Sequence, residues 1–402
     1  MFWQLRLEKL AARLRTHDIP VRIALWNGQH YDLGTPVRVV IRVTAPAGLP
    51  HMLLPSLDSL GSGYVERLLD VEGKLEDIFA VAAGLARHAV KPTGRFGRVV
   101  RSVRHTQQID ADAIAYHYDV SNDFYRIWLD ENMVYSCAYF KDSTDSLEQA
   151  QMQKLDHVLR KIRLQPGQHL LDIGCGWGAL ILRAAEKFGA RCTGITLSRH
   201  QWELARERIA AAGLSDRCEV LLADYRDMDG QFDRITSIGM FEHVGLKNLR
   251  GYFAKLRDLL ADDGIALNHG ITSTDPDSGE VAWGGGTFIH RYVFPHGELP
   301  HISLAVREMS AAGLEVADVE NLRRHYALTL RHWAQRYESA AERIRAMVGE
   351  TRYRIWRMYL AGCAYSFDHA WTSIYQILAV KADKPQIDRL PLTRDFMYRE
   401  TS

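Results

Sequence analysis

No run of 18 apolar residues occurs in the 402-residue chain, and from the start charge alternates with apolar side chains (Leu5, Arg6, Leu7, Glu8, Lys9, Leu10). Neither a spanning helix nor a signal peptide is therefore expected. Cysteine is scarce. The five present (Cys137, Cys175, Cys192, Cys218, Cys363) are odd in number and form no Cys-x-x-Cys pair, which argues against a disulfide framework and for reduced thiols in a cytosolic setting. Net charge is almost lacking, at +1, so there is no general pull toward nucleic acid, and no recognition-helix or aromatic-interleaved sheet pattern supplies one. One absence is local: no acidic residue lies between Asp77 and Asp110, while Arg87, Lys91, Arg95, Arg98, Arg101 and Arg104 recur every three or four positions. Such a run either touches an anionic membrane surface, at about 1 kcal/mol per basic residue near it, or is a solvated linker.

What is present is the composition of a globular protein, 47% hydrophobic and 25% charged, long enough for one large domain or two or three ordinary ones. Residues 1–85 read as a small α+β domain, with a helix over 2–14, a strand over 37–43 and a helical stretch over 65–86. Residues 86–107 form the basic linker, and 108–402 the second domain. That domain opens with aromatic-dense segments, 116–125 and 133–140, which keep neither period and either cover a core or wall a pocket. A helix over 147–162 follows, then a regular alternation: strand 170–173, helix 179–188, strand 192–195, helix 199–212, strands 218–222 and 232–238, helix 248–260 and strand 265–268. This predicts an α/β fold with a doubly wound parallel sheet and ligands at the carboxyl ends of its strands. The remainder, including 352–380, is expected to be helical.

The chain is organised around Leu170-Leu171-Asp172-Ile173-Gly174-Cys175-Gly176-Trp177-Gly178, a buried strand breaking into glycines and then into a helix. The pattern is shorter than the dinucleotide fingerprint, and no Gly-Lys-Ser/Thr follows, so a nucleoside fits the turn better than a pyrophosphate. No acid lies between Glu186 and Glu203 to hold a ribose, which leaves Thr196 and Gln201 for that role. Ser198 and Gln201 also spell an ordinary capping box. Candidate residues fall just after strands: Thr196, Leu197, Ser198 and Gln201; Asp224 and Tyr225; Gly239 to His243; His269 to Ile271. His296 and His301 lack cysteine or carboxylate neighbours, so no metal is expected.

Asp172-Ile173-Gly174-Cys175-Gly176-Trp177-Gly178, Thr196-Leu197-Ser198 with Gln201, Tyr135-Ser136-Cys137-Ala138-Tyr139-Phe140 and Gly239-Met240-Phe241-Glu242-His243-Val244-Gly245 together resemble the cyclopropane-fatty-acyl-phospholipid synthase family. The resemblance runs from about Tyr116 to the C-terminus. Residues 61–82 more weakly resemble the small N-terminal domain of its phospholipid-acting members. It implies a class I S-adenosylmethionine (SAM) methyltransferase, Rossmann-like with helical additions, acting on the cis double bond of an unsaturated acyl chain. Methyl transfer would give a carbocation whose deprotonation closes a cyclopropane ring. Carried over by the resemblance, a bicarbonate base would be held by Cys137 (backbone), Glu242, His269, Ile271 (backbone) and Tyr326. Cys363 matches a cysteine that the family pattern treats as functional. The cofactor would be held by Tyr135, Ser136, Gly174, Cys175, Gly176, Thr196, Leu197, Ser198, Gln201, Asp224 and Tyr225, with Asp224 beside the adenine amine.

The implied partners are a phospholipid bilayer with anionic lipid favoured and the unsaturated acyl chain, with no nucleic acid. The implied place is the cytoplasm, peripheral to the inner face of the membrane, where a homodimer would present two membrane-facing surfaces. Residues 283–295 resemble a family loop near an acyl-chain entrance. The chain departs from the family at Gly270, where threonine is usual, and at Asn268, where an apolar residue is common. These changes bear on the product: the same cation can close to a ring or, after a hydride shift, give a methylene or methyl branch, as in fatty-acid methyltransferases. A lipid-binding protein with a dead methyltransferase domain is the third reading.

Overall fold

The computed structural model describes residues 2–89, 121–276, 285–294, 297–382 and 390–399. Lys91, Arg95, Arg98, Arg101 and Arg104 of the basic run, and residues 116–120 of the first aromatic segment, lie outside them. By packing the chain divides into two compact units, 1–101 with 280–295 and 333–371, and 102–279 with 296–332 and 372–402. Segments that the linear reading placed wholly in the catalytic domain thus pack with N-terminal elements.

In the first unit the helix Phe2–Arg15 turns Leu7, Ala11 and Leu14 inward at helical spacing. Strands β1 (Val21–Leu25), β2 (His30–Asp32), β3 (Val39–Val43) and β4 (Leu69–Glu72) form a sheet in the order β2-β1-β3-β4. Alternate residues Val21, Ile23, Leu25, Val39, Ile41 and Val43 supply its core face. The helical stretch expected over 65–86 is interrupted. One helix ends at Val65, β4 pairs Leu69 with Val43 and Val71 with Ile41, and the next helix runs Leu75–Ala89. Leu69-Asp70-Val71-Glu72 alternates with the period of a strand, and Gly73, at φ +140°, takes a turn that a side chain would resist. Residues 285–292 of the expected entrance loop are the helix Gly285–Tyr292. It packs on the Leu57–Val65 helix, where a Cβ on Gly61 would come within 2.7 Å of the Phe288 ring.

The second unit holds a seven-stranded sheet: β5 (His169–Ile173), β6 (Arg191–Thr196), β7 (Cys218–Leu222), β8 (Phe232–Ile238), β9 (Leu260–Ser273), β10 (Leu314–Asn321) and β11 (Thr372–Lys381). Its order is β10-β11-β9-β8-β5-β6-β7. Strands β5 to β9 pair in parallel, whereas β11 runs antiparallel to both β9 and β10. The helices Ala179–Phe188, Arg199–Ala211 and Leu249–Leu259 alternate with the parallel strands as the pattern predicts.

Three expectations fail at the C-terminal end. Residues 314–321, within the remainder read as helical, are the strand β10. The helix thought to run through Val380 stops at Asp368, and 372–381 is a strand inserted between β9 and β10. Both faces of that strand are covered, so Ile377 to Val380 is a continuous apolar run, the polar Thr372, Ser373 and Gln376 are buried too, and no alternation separates the segment from a buried helix. Strand β9 is also longer than expected, because β11 pairs with it as far as Ser273. His269 and Ile271 therefore lie inside the strand rather than after it.

Candidate active site

A cleft of about 980 Å³, open to solvent at its mouth, lies at the carboxyl ends of β5, β6, β7 and β8. It is lined by Tyr135, Ser136, Gly174, Cys175, Gly176, Thr196, Leu197, Gln201, Asp224 and Tyr225, ten of the eleven residues expected to hold a cofactor. The eleventh, Ser198, instead caps the Arg199–Ala211 helix, accepting from the Gln201 N–H at 3.4 Å. Gly174 (φ +78°) and Gly176 (φ +56°) are required by backbone conformation. Among the described residues, its chain neighbours aside, no atom lies within 4 Å of where a Cβ on Gly176 would stand, so the turn leaves the cleft floor clear. Thr196 donates its hydroxyl hydrogen to Gln201 Oε1 at 2.7 Å, joining the two groups expected at a ribose. The Asp224 carboxylate receives the Arg226 guanidinium at 2.8 and 2.7 Å, an orienting partner that the motifs did not signal.

Of the aromatic segments, the second lines this cleft through Met133 to Ser136, and described residues of the first pack behind it. Tyr125 packs against Tyr135 and Trp177 at 5.6 and 5.1 Å, and Trp128 meets Tyr135 edge-on at 5.3 Å. The Trp177 indole N–H donates to Asn122 Oδ1 at 2.8 Å, tying the first segment to the glycine turn. Residues 134–140 are pinned from two sides. Gln151 donates to the carbonyls of Ser136 and Val134, while the N–H groups of Ala138 and Phe140 donate to Thr329 Oγ1 and His325 Nδ1, each at 3.0 Å.

Of the residues expected at an anion site, His269 and Ile271 lie within β9 beside β11, and Glu242 bonds to the Ile271 backbone. The Glu242 carboxylate accepts from the Ile271 N–H at 2.6 Å, so this donor, expected to face a bicarbonate, holds the carboxylate instead. Glu298 braces the turn carrying Glu242: its N–H donates to the Glu242 carbonyl at 3.1 Å and its carboxylate accepts from the Leu246 N–H at 2.8 Å. His269 lies opposite Gln376 in β11, whose amide faces His269 Nδ1 at 3.4 Å. Ile271 lies opposite Ile374, and the Ile374 carbonyl accepts from the Leu322 N–H at 3.0 Å. The Leu322 carbonyl in turn accepts from the Cys137 thiol at 3.8 Å and from the Tyr326 N–H at 3.0 Å. Glu242, His269, Ile271, Cys137 and Tyr326 are thus linked through one short row of backbone. Cys363 belongs to the first unit, on the Ala341–Asp368 helix.

Electrostatics define what these groups can do. Burial raises the Glu242 carboxyl to about 7, against the lowering effect of the Ile271 N–H. Burial, helped by Lys154 and Lys161, lowers His269 to about 3. Near neutral pH the imidazole is uncharged and the carboxyl is poised between its two forms. Among the described residues neither Glu242 Oε2 nor His269 Nε2 has a hydrogen-bond partner, although both are buried. Orphaned polar atoms of this kind call for a polar partner. Burial pushes the Cys137 thiol far above its ordinary range and the Cys363 thiol up to about 12, so neither is a ready nucleophile. No three His, Cys, Asp or Glu side chains among the described residues are grouped to hold a metal ion.

Gly270 has a physical reason. Its Cβ would come 2.0 Å from the Phe241 ring, which is itself buried beside Glu242. On the same face of β9, Asn268 Oδ1 lies 3.4 Å from the Tyr252 hydroxyl, which donates to Ser237 Oγ at 2.6 Å. Both departures from the family pattern therefore lie on the strand face opposite His269 and Ile271.

Comparison with known proteins decides the family. The mycolic acid cyclopropane synthetase family model matches residues 105–377. The chain belongs to this family. A domain of unknown function (DUF7884) matches residues 11–93. As a member, the chain is a SAM-dependent methyltransferase of the cyclopropane synthase type with the class I fold. It is 46% identical to a probable fatty acid methyltransferase of Pseudomonas putida over 395 residues, 98% of this chain and 100% of that one. It is 38% identical to the cyclopropane-fatty-acyl-phospholipid synthase of Escherichia coli over 65% of this chain and 66% of that one. The crystal structure of mycolic acid cyclopropane synthase CmaA1 with SAH and CTAB matches with a TM-score of 0.64 at 37% identity, over 67% of this chain and 98% of that one.

Proposed function

We propose that this methyltransferase transfers the methyl carbon of SAM to the cis double bond of an unsaturated acyl chain in a membrane phospholipid, and that loss of a proton from the new methyl closes a cyclopropane ring. The observation that carries the reading is that Glu242 Oε2 and His269 Nε2 are both buried without a hydrogen-bond partner among the described residues, with Glu242 bonded to the Ile271 N–H two residues along β9 from His269. An isolated alkene is a poor nucleophile, so the protein must position it and exclude water. SAM supplies an electrophilic methyl group. Thr196, Gln201, Asp224 and the glycine turn hold the nucleoside; the aromatic wall shields the reacting end. Glu242 and His269 hold a bicarbonate, the proton acceptor, with Glu242 near its midpoint and so able to trade a proton with it. The protein works at the inner face of the membrane, as a homodimer, with the basic run 87–104 meeting anionic lipid. Flotation with vesicles is then stronger with anionic lipid and weakens with salt; indifference to both removes this part.

A second reading is favoured by the name of the Pseudomonas putida relative, which matches end to end: the same cation, after a hydride shift, loses a proton to give a methylene branch, which becomes a methyl branch only if a separate hydride donor reduces it. Incubation with SAM and monounsaturated phospholipid, followed by proton NMR of the lipid, separates the two. Strongly shielded ring protons support closure. Vinylidene or branched-methyl signals without them replace the first reading by the second.

A further inference from the structure

Two lysines of the Leu147–Lys161 helix are buried, and they are treated differently. Lys161 is neutralised by Asp318 at 2.9 Å and Glu320 at 2.7 Å. Lys154, 2% exposed, has a single acceptor among the described residues, the Ser136 hydroxyl at 3.0 Å, and no ion-pair partner. An ammonium carries three donors, and a buried cation without a counter-charge is strongly disfavoured. Its fold position repeats the point. Lys154 lines the cofactor cleft, one turn from Gln151, which holds the Ser136 carbonyl in place. Burial lowers Lys154 to about 8, while Asp130 and Asp172 act to keep its charge.

The sheet order assigns ends to the cleft. Asp224 and Tyr225 follow β7, Thr196 and Gln201 follow or flank β6, and Lys154, Ser136 and Asp172 gather at β5. A sulfonium donor has a nucleoside at one end and an amino acid at the other. With the nucleoside over β6 and β7, the amino acid falls at β5. We propose that Lys154 is a binding residue for the carboxylate of the donor's methionine moiety, which completes its donor set and adds a directly bonded counter-charge to the more distant Asp130 and Asp172. The proposal rests on the SAM reading of the cleft.

The test is calorimetric binding of S-adenosylhomocysteine, its decarboxylated analogue and methylthioadenosine to the wild type, Lys154→Gln and Lys154→Arg. The wild type is expected to prefer S-adenosylhomocysteine over the decarboxylated analogue by about 30-fold or more, as for a buried charge pair broken on one side. Lys154→Gln should lose most of that preference while binding methylthioadenosine as the wild type does, and Lys154→Arg should keep part of the preference. Equal weakening of all three ligands in Lys154→Gln would mean that the lysine only supports the fold. An unchanged preference would overturn the proposal outright. If the wild type binds none of the three, the donor reading fails first.

Discussion

The Glu242 carboxyl makes the sharpest quantitative prediction, because a group useful to catalysis there must cost stability. Folding raises it from 4.5 to about 7, chiefly by burial. The folded state therefore keeps its proton to higher pH than the unfolded state does. Between these two values the unfolded state binds fewer protons, so stability falls as pH rises, and the loss is complete above about pH 7. At about 1.4 kcal/mol per pKa unit this is a penalty of about 3 kcal/mol, of which roughly 2–3 kcal/mol develops between pH 5 and 8. Glu242→Gln keeps an oxygen for the Ile271 N–H and cannot ionise. Its stability relative to the wild type should therefore rise by that amount from pH 5 to pH 8, read from urea unfolding in bicarbonate-free buffer. Methyl transfer should fall by about 100-fold or more, as for loss of a positioned acid-base group, with donor affinity nearly unchanged. A stability difference that is flat with pH would refute the burial argument. Loss of donor binding would mean that the carboxylate sits against the cofactor.

Three further outcomes follow from the same packing. Gly270→Thr, which restores the residue common in the family, should lower stability by about 1–3 kcal/mol in thermal melts, because its Cβ meets the Phe241 ring at 2.0 Å; a neutral effect would show that the ring moves freely. Lys161→Met should cost about 1–3 kcal/mol in urea unfolding, since buried Asp318 keeps Arg394 and half-buried Glu320 keeps His157, and a cost near zero would contradict the ion cluster. Cys363→Ser should retain most of the methyl transfer rate and the wild type should resist alkylation at neutral pH, since the thiol stands at about 12; an inactive, well-folded variant would restore Cys363 to the chemistry.

The parallel half of the fold was legible because its strands are short, glycine- or loop-bounded and spaced by amphipathic helices. The helix Ala179–Phe188 and the strands β7 and β8 fall where the periodicity puts them. Strand β11 was not legible, since a strand covered on both faces loses its alternation. Most of the residues that line the cleft could be named because the family resemblance carried them over; the turn itself signalled only its glycines, which positive φ requires. Lys154, Gln151, Gln376 and Glu298 went unnoticed for a common reason: each acts by holding something else and belongs to no motif. A faint signal existed for the first two. Gln151 and Lys154 are polar residues set three apart on the buried stripe with Leu147, Ala150, Leu155 and Val158.

The central claim is that a methyl group passes from sulfur to an acyl double bond and then gives up a proton to a base beside Glu242 and His269. Its most direct test is mass spectrometry of monounsaturated phospholipid incubated with SAM carrying a fully deuterated methyl group. The account predicts product acyl chains that retain two of the three deuterons. Chains that retain all three, or no labelled carbon in the lipid, would contradict it.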